Sequence, residues 1–475
     1  MIWRIICGLL LSSVGLAQGQ PTYWEEYVGQ NGITELIYST CQSPEGEAVF
    51  VSRGVDYFTE TPKTRLTFYR SSSAQPIDVL GEIEFQEETV DLIQLIPNTQ
   101  GYLGVGGIRL TDSTGAHTFV AAYDESGDSL WTKTYILPGK NAIGFGIQNA
   151  ANGDILVCGQ SVLLDGSDAD MMLLRLSPSG DLLWSGFYGV GHDAGNRVLE
   201  FDNGDLVVFG QSQDPMTLDI DIFAVWTDEN GVEQNQEYYG GSGNFRVNDA
   251  IVTQDSSIVI AGGGNSRGVI IKTSLTGSII WQEFYHPSIR AFIYDIEEHE
   301  DGGFAAAGLS RHADGSDAGY FLRIDSEGNT EYHRQYNPTI DTELIRGITT
   351  TPDSGYLIVG FGWNIDSTSQ DGWVLKVDSV GCEYPECITG IDETDKTVLV
   401  DLWPNPTSNF LNLKFHSTNR QTEIRVLNMQ GQEMNHSIVS SPSTVLDVSE
   451  WPVGLYIMYG QDENGGRFSL RFVKD

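Results

Sequence analysis

Cysteine, proline and positive charge are all scarce in this chain of 475 residues. There are 5 cysteines, 16 prolines against 54 glycines, and 26 lysines and arginines against 65 aspartates and glutamates. The formal net charge of −39 repels nucleic acid and anionic membrane surfaces, so neither is expected as a partner. The excess of glycine over proline predicts many tight turns rather than a low-complexity coil.

Long apolar runs are absent beyond the first residues, because no later stretch reaches the roughly 18 apolar residues of a transmembrane helix. The chain starts with MIWRIICGLLLSSVGLAQGQ, in which Arg4 precedes an apolar run and small residues follow at Gly15 and Ala17. We interpret residues 1–17 as a secretory signal peptide cleaved after Ala17, the alternative being a buried N-terminal strand. We therefore expect an exported protein.

Four cysteines remain after that cleavage. Cys382 and Cys387 share the short segment CEYPEC, which favours a local disulfide in an oxidising compartment. A zinc site would need further ligands, and no histidine lies nearby. Cys158 falls in an apolar run and is interpreted as a buried thiol.

Catalytic motifs are missing as well. The chain has no G-x-S-x-G, no H-E-x-x-H and no phosphate-binding G-K-[ST]. Its aspartate, glycine and tryptophan spacings differ by one residue from those of the sialidase Asp-box and of the quinoprotein docking motif. The sequence therefore predicts no catalytic residue and no cofactor-binding residue, and the protein is expected not to be an enzyme.

What the chain does contain is an internal repeat. A turn, a four-residue apolar strand and a closing glycine recur as TQGYLGVG, NGDILVCG, NGDLVVFG, DSSIVIAG, DGGFAAAG and DSGYLIVG, and EGEAVFVS fits with Ser52 in place of glycine. The closing positions are 52, 106, 159, 210, 262, 308 and 360. Such even spacing predicts seven copies of one structural unit.

A second marker follows each octet. It pairs an aspartate or serine with a glycine three positions later, and the glycines are Gly127, Gly180, Gly231, Gly277, Gly328 and Gly381. This spacing is typical of a type I turn and predicts a hairpin into an aromatic strand, such as Trp184 to Tyr188. We interpret the aromatic pair as the covering outer strand of each unit.

Four short strands in a unit of roughly 50 residues are typical of a β-propeller blade. The sequence thus predicts an all-β chain in which residues 20–387 form a seven-bladed β-propeller, with six or eight blades as alternatives. The last unit lacks its aromatic strand, whereas Tyr23 and Tyr27 have the aromatic spacing and no unit of their own. We expect this N-terminal strand to close the last blade, which removes an open sheet edge.

The C-terminal residues follow another pattern. Residues 388–401 are polar and acidic and are interpreted as a linker. Beyond them, Leu411, Leu413 and Phe415 alternate with polar residues, as do later segments, which predicts a small antiparallel immunoglobulin-like β-sandwich.

The segments WPNPTSNFLNL, IRVLNMQGQEM, DVSEWPVGLYIM and FSLRFVKD, in this order, make residues 402–475 resemble the type A C-terminal sorting domain of the type IX (Por) secretion system of Gram-negative bacteria. The residues that carry the motif are Trp403, Pro404, Asn405, Pro406, Gly431, Gly454 and Lys474. Trp403 departs from the family, which more often has another residue there. The alternative is a generic immunoglobulin-like accessory domain.

The resemblance implies a route for the protein. It implies interaction with the type IX secretion machinery, passage to the outer cell surface or beyond, and removal of the domain by a cut within 388–401. Release or attachment to surface lipopolysaccharide would follow. The propeller repeats are also similar to the roughly 50-residue repeats of other cargo of this system, through the segment DGWVLKVDSVG.

Acidic loops ahead of the third strand of three units are the remaining site candidates. We consider Asp165, Asp168, Asp170, Asp314 and Asp317 as weak calcium ligands, because calcium favours clustered carboxylates. The alternative is that these aspartates only form Asx turns. The function we expect is a binding or adhesion module for an unknown glycan or protein, and the alternatives are a secreted enzyme with a site in the central channel and a structural spacer.

Overall fold

The computed structural model describes residues 24–29, 33–56, 63–72, 75–85, 89–110, 115–214, 216–240, 244–285, 290–311, 316–336, 344–363, 369–383, 400–404, 406–415, 421–428, 432–441, 443–462 and 467–474. The chain divides into two compact units, Met1–Cys387 and Ile388–Asp475. The regular structure of the described residues is all β-strand, so none of them belongs to a helix that is long and apolar enough to cross a membrane.

The described residues of the first unit form 28 strands. They are β1 (Trp24–Val28), β2 (Thr34–Gln42), β3 (Ala48–Asp56), β4 (Lys63–Ser72), β5 (Gln75–Phe85), β6 (Thr89–Asn98), β7 (Gly101–Arg109), β8 (Ala116–Tyr123), β9 (Ser129–Tyr135), β10 (Lys140–Asn149), β11 (Ile155–Leu163), β12 (Ala169–Leu176), β13 (Leu182–Tyr188), β14 (His192–Glu200), β15 (Leu206–Gln213), β16 (Ile220–Thr227), β17 (Glu233–Tyr239), β18 (Phe245–Val252), β19 (Ser257–Gly264), β20 (Arg267–Ser274), β21 (Ile279–Tyr285), β22 (Arg290–Glu298), β23 (Phe304–Arg311), β24 (Asp317–Ile324), β25 (Thr330–Tyr336), β26 (Leu344–Thr350), β27 (Tyr356–Trp363) and β28 (Gln370–Val377).

These strands form antiparallel groups of four. Groups 1 to 6 are β2–β5, β6–β9, β10–β13, β14–β17, β18–β21 and β22–β25, each in chain order. Group 7 combines β26, β27 and β28 with β1. A single parallel bridge between Ala169 and His192 joins groups 3 and 4 into one eight-stranded sheet.

The N-terminal strand pairs with the last group, as predicted from the missing aromatic strand of the last repeat. Strand β1 runs antiparallel to β28, with Tyr27 opposite Trp373 and Trp24 opposite Lys376. The Trp373 indole also donates a hydrogen bond of 2.7 Å to Glu25 Oε1. Group 7 therefore gains its fourth strand from the other end of the unit.

Neighbouring groups share their apolar cores, and the sequence of shared cores returns to its start. Val359 and Val374 of group 7 pack with Ile37 and Phe50 of group 1, and all four side chains are buried. The first strands of successive groups contact one another all the way round, so β2, β6, β10, β14, β18, β22 and β26 form an inner wall. The fold is propeller-like.

The predicted turns are confirmed. At the third of them, the Gly231 amide donates to the Asp228 carbonyl oxygen at 3.0 Å, and Asp228 Oδ1 accepts bonds from the Asn230 and Val232 amides at 2.9 Å. Gly231 has a φ of 78°, a left-handed conformation that glycine adopts without steric cost. Aspartate and serine occur at the first position because their side chains accept such local bonds.

The outer aromatic strand of one group covers the turn of the next group. The Tyr188 hydroxyl donates a 2.7 Å bond to the Gly231 carbonyl oxygen, and a methyl group on Gly231 would lie 2.7 Å from the Trp184 ring. The same hydroxyl-to-glycine bond is made by Tyr135, Tyr239, Tyr285 and Tyr336. The repeated aromatic pair is thus framework that joins adjacent groups.

The second unit contains β29 (Val400–Trp403), β30 (Phe410–Phe415), β31 (Thr422–Asn428), β32 (Glu433–Val439), β33 (Ser443–Asp447), β34 (Gly454–Asp462) and β35 (Arg467–Lys474). They form two antiparallel sheets, ordered β29-β30-β33 and β32-β31-β34-β35. Leu411 and Leu413 of the first sheet pack with Val426 and Met458 of the second in one buried core. The period-two alternation predicted for Leu411, Leu413 and Phe415 is confirmed.

Candidate functional site

The acidic loop residues that we considered for calcium have protein partners. Asp165 Oδ1 accepts bonds from the Ser167 amide at 3.0 Å and hydroxyl at 2.6 Å. Asp170 pairs with Lys140 Nζ at 2.7 Å, and Asp317 accepts two bonds from the Arg311 guanidinium at 2.6 and 2.9 Å. Turn formation and ion pairing therefore account for these three carboxylates.

The other two candidates add no cluster. Asp168 accepts a 3.0 Å bond from the Leu163 amide through its backbone carbonyl, and Asp314 lies outside the described residues. Within the described part of the chain, no three histidine, cysteine, aspartate or glutamate side chains are grouped so that they could hold a metal ion. Calcium binding stays an untested prediction.

The cysteines separate into two kinds. Cys382 is buried and disulfide-bonded, and its predicted partner Cys387 lies outside the described residues. Cys41 and Cys158 are free thiols, both buried. Burial raises the pKa of Cys158 to about 12, so this thiol is held in its unreactive neutral form, in line with the buried thiol predicted for it.

The residues of the sorting motif lie at the ends of strands in the second unit. Trp403 ends β29 with 46% of its surface exposed, and Gly454 begins β34. Lys474 is buried beside Thr407, whose amide donates to the Val473 carbonyl oxygen at 2.8 Å. Pro404, which follows Trp403 through a cis peptide bond, and Pro406 are exposed, whereas Asn405 and Gly431 lie outside the described residues.

Every strand of the inner wall carries a β-bulge at an equivalent place. In each case the pairing with the second strand of the group skips a residue of the first strand. We call the skipped residues the bulge residues: Tyr38, Ile93, Phe145, Asn196, Asn248, Tyr294 and Arg346. Bulges change the direction of a side chain and are frequent beside functional sites.

The bulge explains the closing glycine of the sequence octet. Gly210 lies opposite Gly195, the residue before bulge residue Asn196, and a methyl group on Gly210 would lie 1.7 Å from the Ala194 carbonyl oxygen. The equivalent distances at Gly106, Gly159, Gly262, Gly308 and Gly360 are 1.7 to 2.0 Å. In group 1 the bulge includes Ser39 as well as Tyr38, and there Ser52 takes the glycine position.

Four bulge residues surround one cavity of about 540 Å³. Tyr38, Ile93, Phe145 and Arg346 contribute from the inner-wall strands of groups 1, 2, 3 and 7. The cavity also touches Thr89, the first residue of its strand. We call it the axial cavity, because residues of the inner wall line it.

Arg346 sits among aromatic rings. Its guanidinium carbon lies 4.2 Å from the Tyr294 ring centroid, and 5.9 and 5.7 Å from those of Tyr38 and Phe361. Its Nε is buried and has no hydrogen-bond partner among the described residues. Stacking of this kind fixes the guanidinium plane without using its N–H donors.

Ionisable side chains of groups 4, 5 and 6 form a polar cluster on the inner wall, which reaches the backbone of group 7. Arg197 Nε donates to Asp249 Oδ1 at 2.5 Å, and Asp249 Oδ2 accepts from the Ile296 amide at 3.1 Å. Asp295 Oδ2 accepts from the Ile348 amide at 2.8 Å, and Glu297 Oε2 accepts from the Thr350 amide at 2.8 Å. Each carboxyl group thus ties its own group to the backbone of the next one.

Burial and charge set the protonation of this cluster. Burial raises the pKa of Asp295 well above its usual value, and the neighbouring charge of Asp249 raises it further. Burial acts in the same direction on Asp249, but the Arg197 charge and the hydrogen bonds from Asp295, Arg197 and the Ile296 amide together outweigh it, so the pKa is lowered. The pKa of Glu297 is raised by burial to about 7. A protonated Asp295 can therefore donate to an ionised Asp249.

The bulge residues escaped the sequence analysis, although a signal for them exists. Phe145, Asn196, Asn248, Tyr294 and Arg346 each precede the closing glycine of their group by 14 positions. Tyr38 precedes Ser52 by the same 14 positions, whereas Ile93 precedes Gly106 by 13. The residue types at this offset differ, so a search for similarity between repeats passes over them.

Comparison with known proteins identifies the second unit. Residues 401–474 match the family described as the secretion system C-terminal sorting domain, so the resemblance noted from the sequence is confirmed. This domain marks proteins that the type IX system exports to the outer cell surface or secretes. No curated protein matches the chain.

Several solved structures are similar to the chain at low identity. PorZ, a surface component of the type IX secretion system of Porphyromonas gingivalis, is 8% identical with a TM-score of 0.35, over 92% of this chain and 81% of PorZ. A fungal alcohol oxidase of the AA5 family is 12% identical with a TM-score of 0.44, over 96% and 99%. Sqt1 from Chaetomium thermophilum is 12% identical with a TM-score of 0.41, over 71% and 84%. These likenesses carry no inference about activity.

Proposed function

We propose that the first unit is a seven-bladed β-propeller that acts as a binding or adhesion module, and that it takes its ligand in the axial cavity. The observation that carries this proposal is the set of bulge residues. They occupy one equivalent position in seven similar groups, yet they include aromatic, aliphatic, amide and guanidinium side chains. A position that is redirected by the fold and differs in each repeat is suited to recognise an asymmetric ligand.

The C-terminal sorting domain supports a role outside the cell. A protein delivered to the outer surface meets glycans and other proteins, and a rigid ring of sheets presents its loops and cavity to them without large rearrangement. We propose further that the second unit, two packed antiparallel sheets, is immunoglobulin-like, and that a cut between residues 388 and 401 separates it from the propeller.

Binding is favoured over catalysis by the state of the nearby carboxylates. Asp91, the carboxylate that lines the axial cavity, is held by Arg53 at 2.8 Å. Asp249, Asp295 and Glu297 accept backbone hydrogen bonds that join adjacent groups. A group that acts as a general acid or base needs access to the substrate, and the backbone hydrogen bonds of Asp249, Asp295 and Glu297 restrict that access.

A secreted enzyme is the second candidate. It is favoured by the perturbed pKa values of Asp295 and Glu297, because such groups concentrate at catalytic sites. If this candidate is right, a hydrolysed product will form from a screened substrate, and Glu297→Gln will abolish its formation without changing ligand affinity.

The test is a ligand screen with the purified protein. We expect hits on a glycan array or in a pulldown from envelope extract, and we expect Phe145→Ala to remove them. The matched control is Phe187→Ala, which truncates a phenylalanine on the outer strand of the same group, outside the cavity lining. Loss of binding in both variants, or in neither, would contradict a ligand site in the axial cavity.

A further inference from the structure

The axial cavity differs in charge from the protein that surrounds it. The chain carries a net charge of −39, yet two arginines, Arg346 and Arg109, line the cavity together with one carboxylate, Asp91. Arg53 already neutralises that carboxylate. No described carboxylate lies within ion-pair distance of Arg346 or Arg109. The cavity therefore concentrates positive charge where the rest of the surface would repel an anion.

The setting of Arg346 leaves its outer N–H groups for a ligand. Tyr294 covers one face of the guanidinium at 4.2 Å, and Nε is buried without a hydrogen-bond partner among the described residues. Because Tyr294 contacts the face of the guanidinium and not its N–H donors, a planar acceptor in the cavity can approach the outer N–H groups. Carboxylates match the arginine fork with two parallel hydrogen bonds.

The remaining lining is mostly apolar. Ile93, Ile108, Ile143 and Phe145 contribute aliphatic and aromatic surface. The volume of about 540 Å³ falls within the range of roughly 300–1,000 Å³ that is common for small-molecule sites. Such a wall suits a ring with one apolar face and does not suit a highly charged polymer.

We propose that the axial cavity binds a carboxylate carried on a six-membered ring, with Arg346 as its direct partner and Arg109 as a second positive group. This inference rests on the proposed binding function and adds the chemical class of the ligand. An acidic sugar such as a uronic acid and an aromatic acid share the required chemistry. The experiment separates these two sources by its choice of probes.

The experiment compares each acid with a neutral analogue of the same shape. Glucuronate is titrated against glucose, and benzoate against benzamide, by calorimetry on the full mature chain at fixed ionic strength. We expect one acid to bind at least about tenfold more tightly than its neutral analogue, since a lost charge-assisted hydrogen bond costs about that factor. The acid that binds identifies the source.

Variants assign the effect to Arg346. We expect Arg346→Met to weaken binding of the acid at least about tenfold, and Arg346→Lys to retain part of the affinity because the charge remains. The control is Arg70→Met, because Arg70 pairs with Glu47 at 3.2 Å outside the cavity lining. If Arg346→Met does not fold, as judged by circular dichroism, Arg346→Lys and the comparison of acid with neutral analogue decide the matter.

The negative outcomes of these experiments fall into two kinds. Equal binding of acid and neutral analogue, or full affinity in Arg346→Met, would overturn the carboxylate proposal. The axial cavity could then still bind a neutral ligand, and Phe145→Ala would test that. Failure of both acids to bind would also overturn the carboxylate proposal. If the unaltered protein binds no probe of any charge and gives no hit in the ligand screen, the binding function itself is overturned.

Discussion

The outer strands and the inner wall of the first unit use aromatic residues for opposite purposes. On the outer strands, tyrosine recurs at one position in group after group and makes the same bond to a glycine carbonyl of the next group. On the inner wall, Tyr38, Phe145 and Tyr294 share their position with Ile93 and Arg346. In a repeat protein, positions that agree between repeats hold the framework, and equivalent positions that disagree are where individual function can lie.

The largest expected effect tests whether the inner wall depends on its bulges. Gly210→Ala would place a methyl group 1.7 Å from the Ala194 carbonyl oxygen, so we expect a loss of more than about 4 kcal/mol in the free energy of unfolding. Gly139→Ala is the control, since Gly139 has a φ of 76° and no atom within 4 Å of the added carbon. It should cost about 1–2 kcal/mol from the left-handed conformation alone.

Urea unfolding of both variants measures the difference. Similar midpoints for Gly210→Ala and Gly139→Ala would mean that the closing glycine is needed only for its backbone freedom and not for the bulge. The link between the sequence octet and the inner wall would then be lost.

The second-largest expected effect concerns the buried ion pair between Arg197 and Asp249 on the inner wall. Arg197→Met leaves Asp249 buried without its cation, and we expect a loss of about 3–5 kcal/mol. On the outer strands, Lys133→Met removes an exposed pair with Asp181 at 2.6 Å, and we expect a much smaller loss because solvent screens this pair. Equal losses in thermal unfolding would show that the inner and outer ion pairs are alike.

The pH dependence of stability tests the raised pKa of Glu297 on the inner wall. Glu297 has an ordinary pKa of 4.5 and a folded pKa of about 7, so the folded state binds its proton more tightly than the unfolded state. Its contribution to stability is complete below pH 4.5 and is lost as the pH rises through about 7. Glu297→Gln should remove up to about 3 kcal/mol of that decline. An unchanged slope of stability against pH in the variant would contradict the raised pKa.

The smallest effect belongs to the outer strands. Tyr239→Phe removes the 2.9 Å bond to the Gly277 carbonyl oxygen and should cost about 1 kcal/mol. Tyr188→Phe and Tyr285→Phe remove equivalent bonds and should cost the same. The three losses should add because the tyrosines belong to different apolar clusters and share no hydrogen-bond partner. Widely different losses would show that the equivalent tyrosines of the outer strands do not contribute equally to stability.

Local spacing in the sequence was sufficient to predict much of the framework. The aspartate or serine and the glycine three positions later form the predicted turns, as at Asp228 and Gly231. The spacing of Tyr23 and Tyr27 predicted the pairing of the N-terminal strand, which the register of Tyr27 and Trp373 confirms. These features depend on neighbouring residues or on counting repeats, so they can be inferred before the fold is known.

The candidate site could not be inferred in that way. Arg346 contacts Tyr38 and Tyr294, and these three residues come from three different groups and lie far apart in the sequence. The Arg197, Asp249 and Asp295 cluster likewise combines three groups. Clustered carboxylates within one loop are visible in the sequence, whereas the fold assembles these polar clusters from one residue of each of several repeats.

The pairing of β1 with β28 has a consequence for the order of events in the life of the chain. Glu25 and Trp373, which this pairing joins, are 348 positions apart, so the contact closes one of the longest loops available to the unit, and we expect it to form late in folding. A chain that stops short of Trp373 keeps an open sheet edge and a free N-terminal strand. The sorting domain begins at residue 401, after that point, so every chain that carries the sorting domain also carries the strand that pairs with β1.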